Sequence, residues 1–407
     1  MPTAATSSAG AVPAGIKALA SRYDPAVIDV PGGRAVVRLG VRGGKDWDAR
    51  ISGTRLELAP AGNGTKPVAA IEADPATWMR VAGDVRAGMR AFQRGSLRVR
   101  GSLHHGVGFL AATSGATEPG RLTFSRLRTS AGAVSILSAG VGPDVLLCLH
   151  GLGGTKASFL PTVAALADRY RVVAMDLPGF GESDKPIGAP YDSEWLARTA
   201  FDVLDALEVD AAHVAGNSMG GRIAIEAGLM DRSRLRSLSL LSPALAWLRD
   251  RRWAPVVRLL RPELGLVQVA PRSVTDRIVR RLVPGGNDGW AAAGVDEFLR
   301  AYLTRSGRAA FYAAARNIYL DEPHGDDGFW TRLGSLSPDA LFVWGRHDTL
   351  VPIAFMKHVE RALPSASHVE LECGHVPQLE RPRETHAAML DFMRGGRGAG
   401  TGPGTGV

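Results

Sequence analysis

The chain has 407 residues, of which 45% are hydrophobic, and 48 Lys and Arg against 40 Asp and Glu give a formal charge of +8. That length suits two domains, and the apolar content suits ordinary buried cores. No apolar run approaches the roughly 20 residues needed to cross a bilayer, and the first residues lack the apolar stretch of a secretory signal. The basic residues are mostly dispersed arginines, with brief clusters at Arg249-Asp250-Arg251-Arg252 and Arg280-Arg281, which reads as a solvated surface rather than a nucleic-acid stripe. The expectation is a cytoplasmic protein without integral membrane association, nucleic-acid partner, metal or cofactor. The two cysteines, Cys148 and Cys373, fall in apolar, strand-like stretches and read as small core residues rather than a disulfide.

Residues 1–15 are small and polar and are expected to be disordered. A first domain, 16–112, then shows period-two alternation at Arg34 to Val41, Trp47 to Gly53, Thr54 to Ala59 and Val68 to Ala73. Asp74-Pro75-Ala76-Thr77-Trp78 reads as a helix start, with Asp74 as N-cap and Pro75 at the first helical position. A strand at Gly95 to Gly101 leads into an apolar segment, His104 to Ala112. The succession of antiparallel strands, a helix beginning around Trp78, and the G-x-L-x-V-x-G of Gly95 to Gly101 resembles the sterol carrier protein type-two family. That resemblance implies a small α+β domain in which helices pack on one sheet around an apolar tunnel for a lipid or other hydrophobic ligand. The alternative is an α+β module without such a role, since pattern alone does not fix function.

Thr113 to Gly120, rich in Gly, Pro, Ser and Thr, is the expected linker. A second domain, 121–394, opens with two hairpin strands, Arg121 to Arg128 and Ala133 to Ser138, followed by an apolar strand, Val145 to Leu149. A helix at Phe159 to Ala167, a strand at Tyr170 to Asp176, a Gly/Pro-rich loop to Ser183 and a helix at Ser193 to Leu207 come next. Strands then recur at Ala211 to Asn217, Leu235 to Leu241, Ala340 to Asp348 and Ala366 to His375. Strands alternating with helices imply a mostly parallel sheet with its site at the carboxyl ends. Between 243 and 333 the alternation stops. Trp247, Trp253, Phe298, Tyr302, Phe311 and Ile318 are among the apolar residues recurring there at helical spacing, which indicates an inserted helical cap. The tail, 395–407, is Gly-rich and expected to be disordered.

The chemistry-bearing stretch is Gly216-Asn217-Ser218-Met219-Gly220, where an apolar strand meets a helical pattern. It is a G-x-S-x-G elbow that would expose the serine hydroxyl at a helix N-terminus. A serine hydroxyl needs a base, and the base an orienting carboxylate. Asp348 ends one downstream strand and His375 follows another in a Gly-His turn, in the order Ser, Asp, His. His347 adjoins Asp348 and would point away from it. Upstream, His150-Gly151-Leu152-Gly153-Gly154 forms a turn whose backbone N–H groups could face an oxyanion.

With these motifs, the stretch from about Arg121 to Arg394 resembles the α/β-hydrolase family. The resemblance implies an α/β-hydrolase fold with a helical cap, Ser218 as nucleophile, Asp348 as acid and His375 as base. It also implies an oxyanion hole made by the backbone N–H groups of Leu152 and Met219, supported by His150, Gly151 and Asn217. Asp176 is expected to fix its loop by hydrogen bonding. A serine, rather than an aspartate, at the elbow points to acyl transfer to water on a hydrophobic or lipid-like carboxylic ester. Two alternatives stand beside that reading. One is a carbon–carbon bond hydrolase of ring-cleavage products, whose elbow is similar but which commonly has a Trp where this chain has Val376. The other is a non-catalytic lipid-binding protein. Oligomeric state is left open.

Overall fold

The computed structural model describes residues 11–62, 64, 66–83, 86–259, 261–267, 271–282 and 289–395. The disorder expected of 1–10 and 396–407 therefore lies outside the described residues. The chain forms two compact units, 1–117 with 282–296, and 118–281 with 297–407.

The first unit opens with helix α1 (Ala14–Ala20), which begins inside the stretch expected to be disordered. Gly15 gives the reason: a Cβ there would lie 2.7 Å from the backbone carbonyl carbon of Trp78, so its absence lets α1 pack tightly. Strands β1 (Arg34–Val41), β2 (Trp47–Ser52), β3 (Arg55–Pro60) and β4 (Ala69–Ala73) follow, then α2 (Pro75–Gly83), α3 (Arg86–Gln93), β5 (Leu97–Gly101) and α4 (Leu103–Ala112). Asp74 caps α2 by accepting from the Thr77 N–H at 2.8 Å. Trp78 Nε1 donates to the Gly40 carbonyl at 3.0 Å, tying α2 to β1.

The sheet order is β3-β2-β1-β4-β5. The expected succession of antiparallel strands needs correction here, because β4 runs parallel to β1 while the other pairs are antiparallel. Period-two alternation fixes which face of a strand is buried but not which neighbour it joins or in which direction. The apolar segment after β5 is helix α4, entered through Ser102, whose Oγ accepts from the His105 N–H at 3.3 Å.

The remaining elements are β6 (Thr123–Thr129), β7 (Gly132–Ala139), β8 (Val145–Leu149), α5 (Leu160–Leu166), β9 (Arg171–Met175), α6 (Ser193–Ala206), β10 (Ala212–Asn217), α7 (Met219–Met230) and β11 (Leu235–Leu241). Helices α8 (Ala254–Arg258), α9 (Arg272–Leu282), α10 (Gly289–Tyr302), α11 (Arg305–Tyr319) and α12 (Gly325–Leu333) precede β12 (Asp339–Gly345). The chain closes with α13 (Met356–Ala362), β13 (Ser367–Leu371), α14 (Pro377–Glu380) and α15 (Pro382–Gly395).

The second unit is built on an eight-stranded sheet, β13-β12-β11-β10-β8-β9-β7-β6. Strands β8 to β13 pair in parallel, and β6 and β7 form an antiparallel edge. All residues of β8 and β10 are buried, as central parallel strands covered on both faces require. Strand β8 lies between β9 and β10, so the connections leave it in opposite directions and open a crevice at the carboxyl ends.

Cys148 lies in β8 as expected, but Cys373 falls in the loop after β13 rather than in the strand. Its N–H donates to the Leu371 carbonyl at 2.8 Å, a three-residue turn that ends the ladder. Both thiols are buried and free, and burial pushes the pKa of each upward, that of Cys373 to about 11. Among the described residues, no helix is long and apolar enough to cross a membrane.

Candidate active site

Ser218 joins β10 to α7 with φ 52° and ψ −113°, a backbone conformation that non-glycine residues rarely adopt. Neighbouring backbone holds it there. Its N–H donates to the Leu241 carbonyl at 3.0 Å, and its carbonyl accepts from the Ala244 N–H at 2.9 Å and the Arg222 N–H at 3.1 Å. A Cβ on Gly216 would collide with the Gly220 carbonyl, and one on Gly220 with the Leu149 carbonyl. The two glycines thus let strand and helix meet closely enough to make the elbow.

Asp348 follows β12 and is almost fully buried. Its Oδ1 accepts from the N–H groups of Leu350 at 2.8 Å and Val351 at 2.9 Å, which leaves Oδ2 to accept from His375 Nδ1 at 2.7 Å. The proton on Nδ1 makes Nε2 the ring nitrogen free to act as base. The loop carrying His375 is pinned on both sides, since Glu380 accepts from the Gly374 N–H at 2.6 Å and the Val376 N–H at 2.9 Å. Asn217 adds a tie from the elbow: its Nδ2 donates to the carbonyls of Leu241 and His375, each at 3.0 Å.

The turn after β8 approaches the same point. A Cβ on Gly151 would sit 3.2 Å from that of Ser218. His150 Nε2 accepts from the Leu177 N–H at 3.0 Å, so Nδ1 carries the proton and donates to the Gly151 carbonyl at 2.8 Å. Burial lowers the pKa of His150, which keeps it neutral in this role. Asp176 anchors the loop that supplies Leu177. It accepts from the Lys156 N–H at 2.7 Å, Lys156 Nζ at 2.5 Å and the Glu182 N–H at 2.8 Å. Burial alone would raise its pKa, but Lys156, His150 and these donors outweigh that and hold it at about 2. Among the described residues, the Leu152 N–H has no acceptor.

The geometry therefore joins Asp348 to His375 directly and ties His375 to the elbow through Asn217. It does not join Ser218 to His375 by a hydrogen bond. Ser218 Oγ instead lies 2.8 Å from the hydroxyl of Tyr319, the last residue of α11. His347 points elsewhere, toward Glu372 at 3.0 Å. Sequence reasoning missed Tyr319, Glu380 and a buried pair, Arg222 with Glu322, whose Nη atoms lie 2.7 and 2.6 Å from the two Oε atoms. Tyr319 did carry a signal, since it follows Ile318 at the end of the apolar helical pattern. The two glutamates carried none, because each acts through a contact that spacing does not encode. No group of His, Cys, Asp and Glu able to hold a metal occurs among the described residues.

Residues 144–382 match the family model described as the alpha/beta hydrolase fold. The chain is 30% identical over 273 residues to the dihydrolipoyllysine-residue acetyltransferase component of the acetoin cleaving system of Cupriavidus necator, covering 63% of this chain and 65% of that one. It is 29% identical over 298 residues to a 2-hydroxy-6-oxononadienedioate/2-hydroxy-6-oxononatrienedioate hydrolase of Paraburkholderia xenovorans, covering 69% of this chain and 98% of that one. Among solved structures, a bacterial membrane phospholipase A aligns with a TM-score of 0.56 and 28% identity, over 67% of this chain and 87% of its own. A sheet switching direction at β8, a strained serine elbow and a family model spanning most of the second unit agree, and the chain belongs to the alpha/beta hydrolase fold family.

Proposed function

We propose that this chain is a serine hydrolase that cleaves a hydrophobic carboxylic ester through an acyl-enzyme on Ser218. The observation that carries the reading is the 2.7 Å bond from His375 to buried Asp348, in a loop tied to the strained elbow of Ser218. Ser218 Oγ attacks the carbonyl carbon while its proton passes to His375 Nε2. The leaving alcohol takes that proton, and water then repeats the sequence on the acyl-enzyme. The N–H groups of Met219 and Leu152 hold the oxyanion. Phe298, Tyr302 and Phe311 pack together beside the Gly153–Gly154 turn and Phe180, an apolar surround that supports a hydrophobic substrate.

A carbon–carbon bond hydrolase is the second reading, favoured by the relative named for hydrolysis of 2-hydroxy-6-oxononadienedioate. The same triad would serve it, and Val376 in place of a Trp counts against it. The non-catalytic alternative leaves the Asp348–His375 bond without a purpose. For the first unit we propose a lipid-carrier role, on its small α+β build and its resemblance to the sterol carrier protein type-two family. Assays of p-nitrophenyl esters of rising acyl length, beside a 2-hydroxy-6-oxodienoate, separate the readings. Turnover of esters with little or none of the dienoate supports esterase action, the reverse supports carbon–carbon cleavage, and neither sinks both.

A further inference from the structure

The Tyr319 hydroxyl lies 2.8 Å from Ser218 Oγ, on the side of the elbow where the Met219 N–H also acts on it. An ester carbonyl oxygen held by the Met219 N–H, with its carbon against Ser218 Oγ, would have to settle at that position. The phenol thus marks the oxyanion site and stands within one short side-chain movement of whatever fills it. Burial pushes the Tyr319 pKa up to about 12, so the group keeps its proton at neutral pH and is a donor there.

The tyrosine is registered to the nucleophile rather than loosely placed over it. Glu322, three residues on, takes both terminal nitrogens of Arg222, at 2.7 and 2.6 Å, and Arg222 stands on α7 four residues after Ser218. The Arg222 guanidinium lies 4.2 Å from the centroid of the Phe329 ring, and both partners of the pair are buried. Trp253 meets the Tyr319 ring edge to face at 6.0 Å. A planar, two-pronged ion pair of this kind fixes direction as well as distance.

Resting on the reading of Ser218 as nucleophile, we propose that Tyr319 is a third oxyanion donor. The incoming carbonyl oxygen takes the place of the phenol beside the Met219 N–H, and the Tyr319 hydroxyl turns away from Ser218 Oγ to donate its O–H to that oxygen. The bond from Ser218 Oγ to the carbonyl carbon then forms, the π pair moves onto oxygen, and the serine proton goes to His375 Nε2. On collapse the pair re-forms the carbonyl, the bond to the leaving alcohol breaks, and that alcohol takes the proton from His375. Tyr319 keeps its own proton throughout. The turn of the hydroxyl also frees Ser218 Oγ to engage His375.

The test is Tyr319→Phe in the full-length chain, with a short p-nitrophenyl ester as substrate and a trifluoromethyl ketone as analogue of the intermediate. Loss of one oxyanion donor should lower kcat by about 100- to 1000-fold with KM within a few-fold. The inhibition constant of the ketone should rise by the factor by which kcat/KM falls, because both report the same oxyanion contact. An unchanged kcat overturns the proposal. A raised kcat also does, and means that the phenol blocks the site. A lowered kcat without the matching rise for the ketone places the loss elsewhere and overturns it too. Fluorophosphonate labelling of the parent chain keeps the two readings apart. If the parent neither labels at Ser218 nor turns over ester, the nucleophile reading fails and takes Tyr319 with it; if it does both while Tyr319→Phe keeps its kcat, only the Tyr319 proposal falls.

Discussion

Replacing Asp176 by Asn should show that a residue away from the reacting atoms carries much of the site's rigidity. Asp176 is fully buried and Lys156 nearly so, with Nζ 2.5 Å from Oδ2. The carboxylate also accepts two backbone N–H groups, from Lys156 and Glu182. The amide removes the charge that compensates a buried ammonium, and breaking a buried pair from one side costs about 3–5 kcal/mol. That is a large part of the roughly 5–15 kcal/mol by which a folded domain is stable. The assay is urea unfolding, read as a lower midpoint at unchanged slope. Adding Lys156→Met to Asp176→Asn removes the stranded ammonium and should restore at least about 1 kcal/mol over the single variant. Activity should fall as well, because the Asp176 loop presents the Leu177 N–H to His150, and His150 holds the Gly151 carbonyl beside the Leu152 amide. A single variant within about 1 kcal/mol of the parent, or a double variant no better than the single, would refute the reasoning.

Two further outcomes follow from the same geometry. Gly220→Ala should destabilise the chain by several kcal/mol or leave it inactive, because the new methyl meets the Leu149 carbonyl and must push β8 from α7; normal thermal unfolding with normal turnover would contradict this. Burial holds His386, paired to Thr162 at 2.9 Å, at a pKa of about 4 against 6.5 when unfolded. The unfolded chain then binds more protons between those values, so stability should drop as pH falls from 6.5 toward 4, by up to about 3 kcal/mol. His386→Gln should flatten that slope in urea titrations, and an unaltered slope would assign it to other groups.

The sheet of the second unit was legible because its strands are buried on both faces and so read as unbroken apolar runs between helical patterns. The elbow was legible because the collision geometry at Gly216 and Gly220 admits no other residue. Asp348 and His375 could be picked from two strand ends because parallel strands deliver their carboxyl ends to one edge, and they meet at 2.7 Å. What alternation could not convey was partnership: β4 joins β1 in parallel although its own pattern is that of any half-buried strand. Helix α1 was hidden by a composition of small residues, since Gly15 matters for the Cβ it lacks. The contacts of Tyr319 and Glu322 were hidden for a different reason. They reach back about a hundred residues to Ser218 and Arg222, and only the folded chain sets that distance.

The most direct measurement is peptide mass spectrometry after treatment with a fluorophosphonate, paired with ester turnover. The triad reading requires a single adduct on Ser218, none in Ser218→Ala, slower labelling in His375→Ala, and turnover in Ser218→Ala lower by several orders of magnitude with unfolding unchanged. An adduct on another residue, no adduct at all, or ester hydrolysis that survives Ser218→Ala would contradict it.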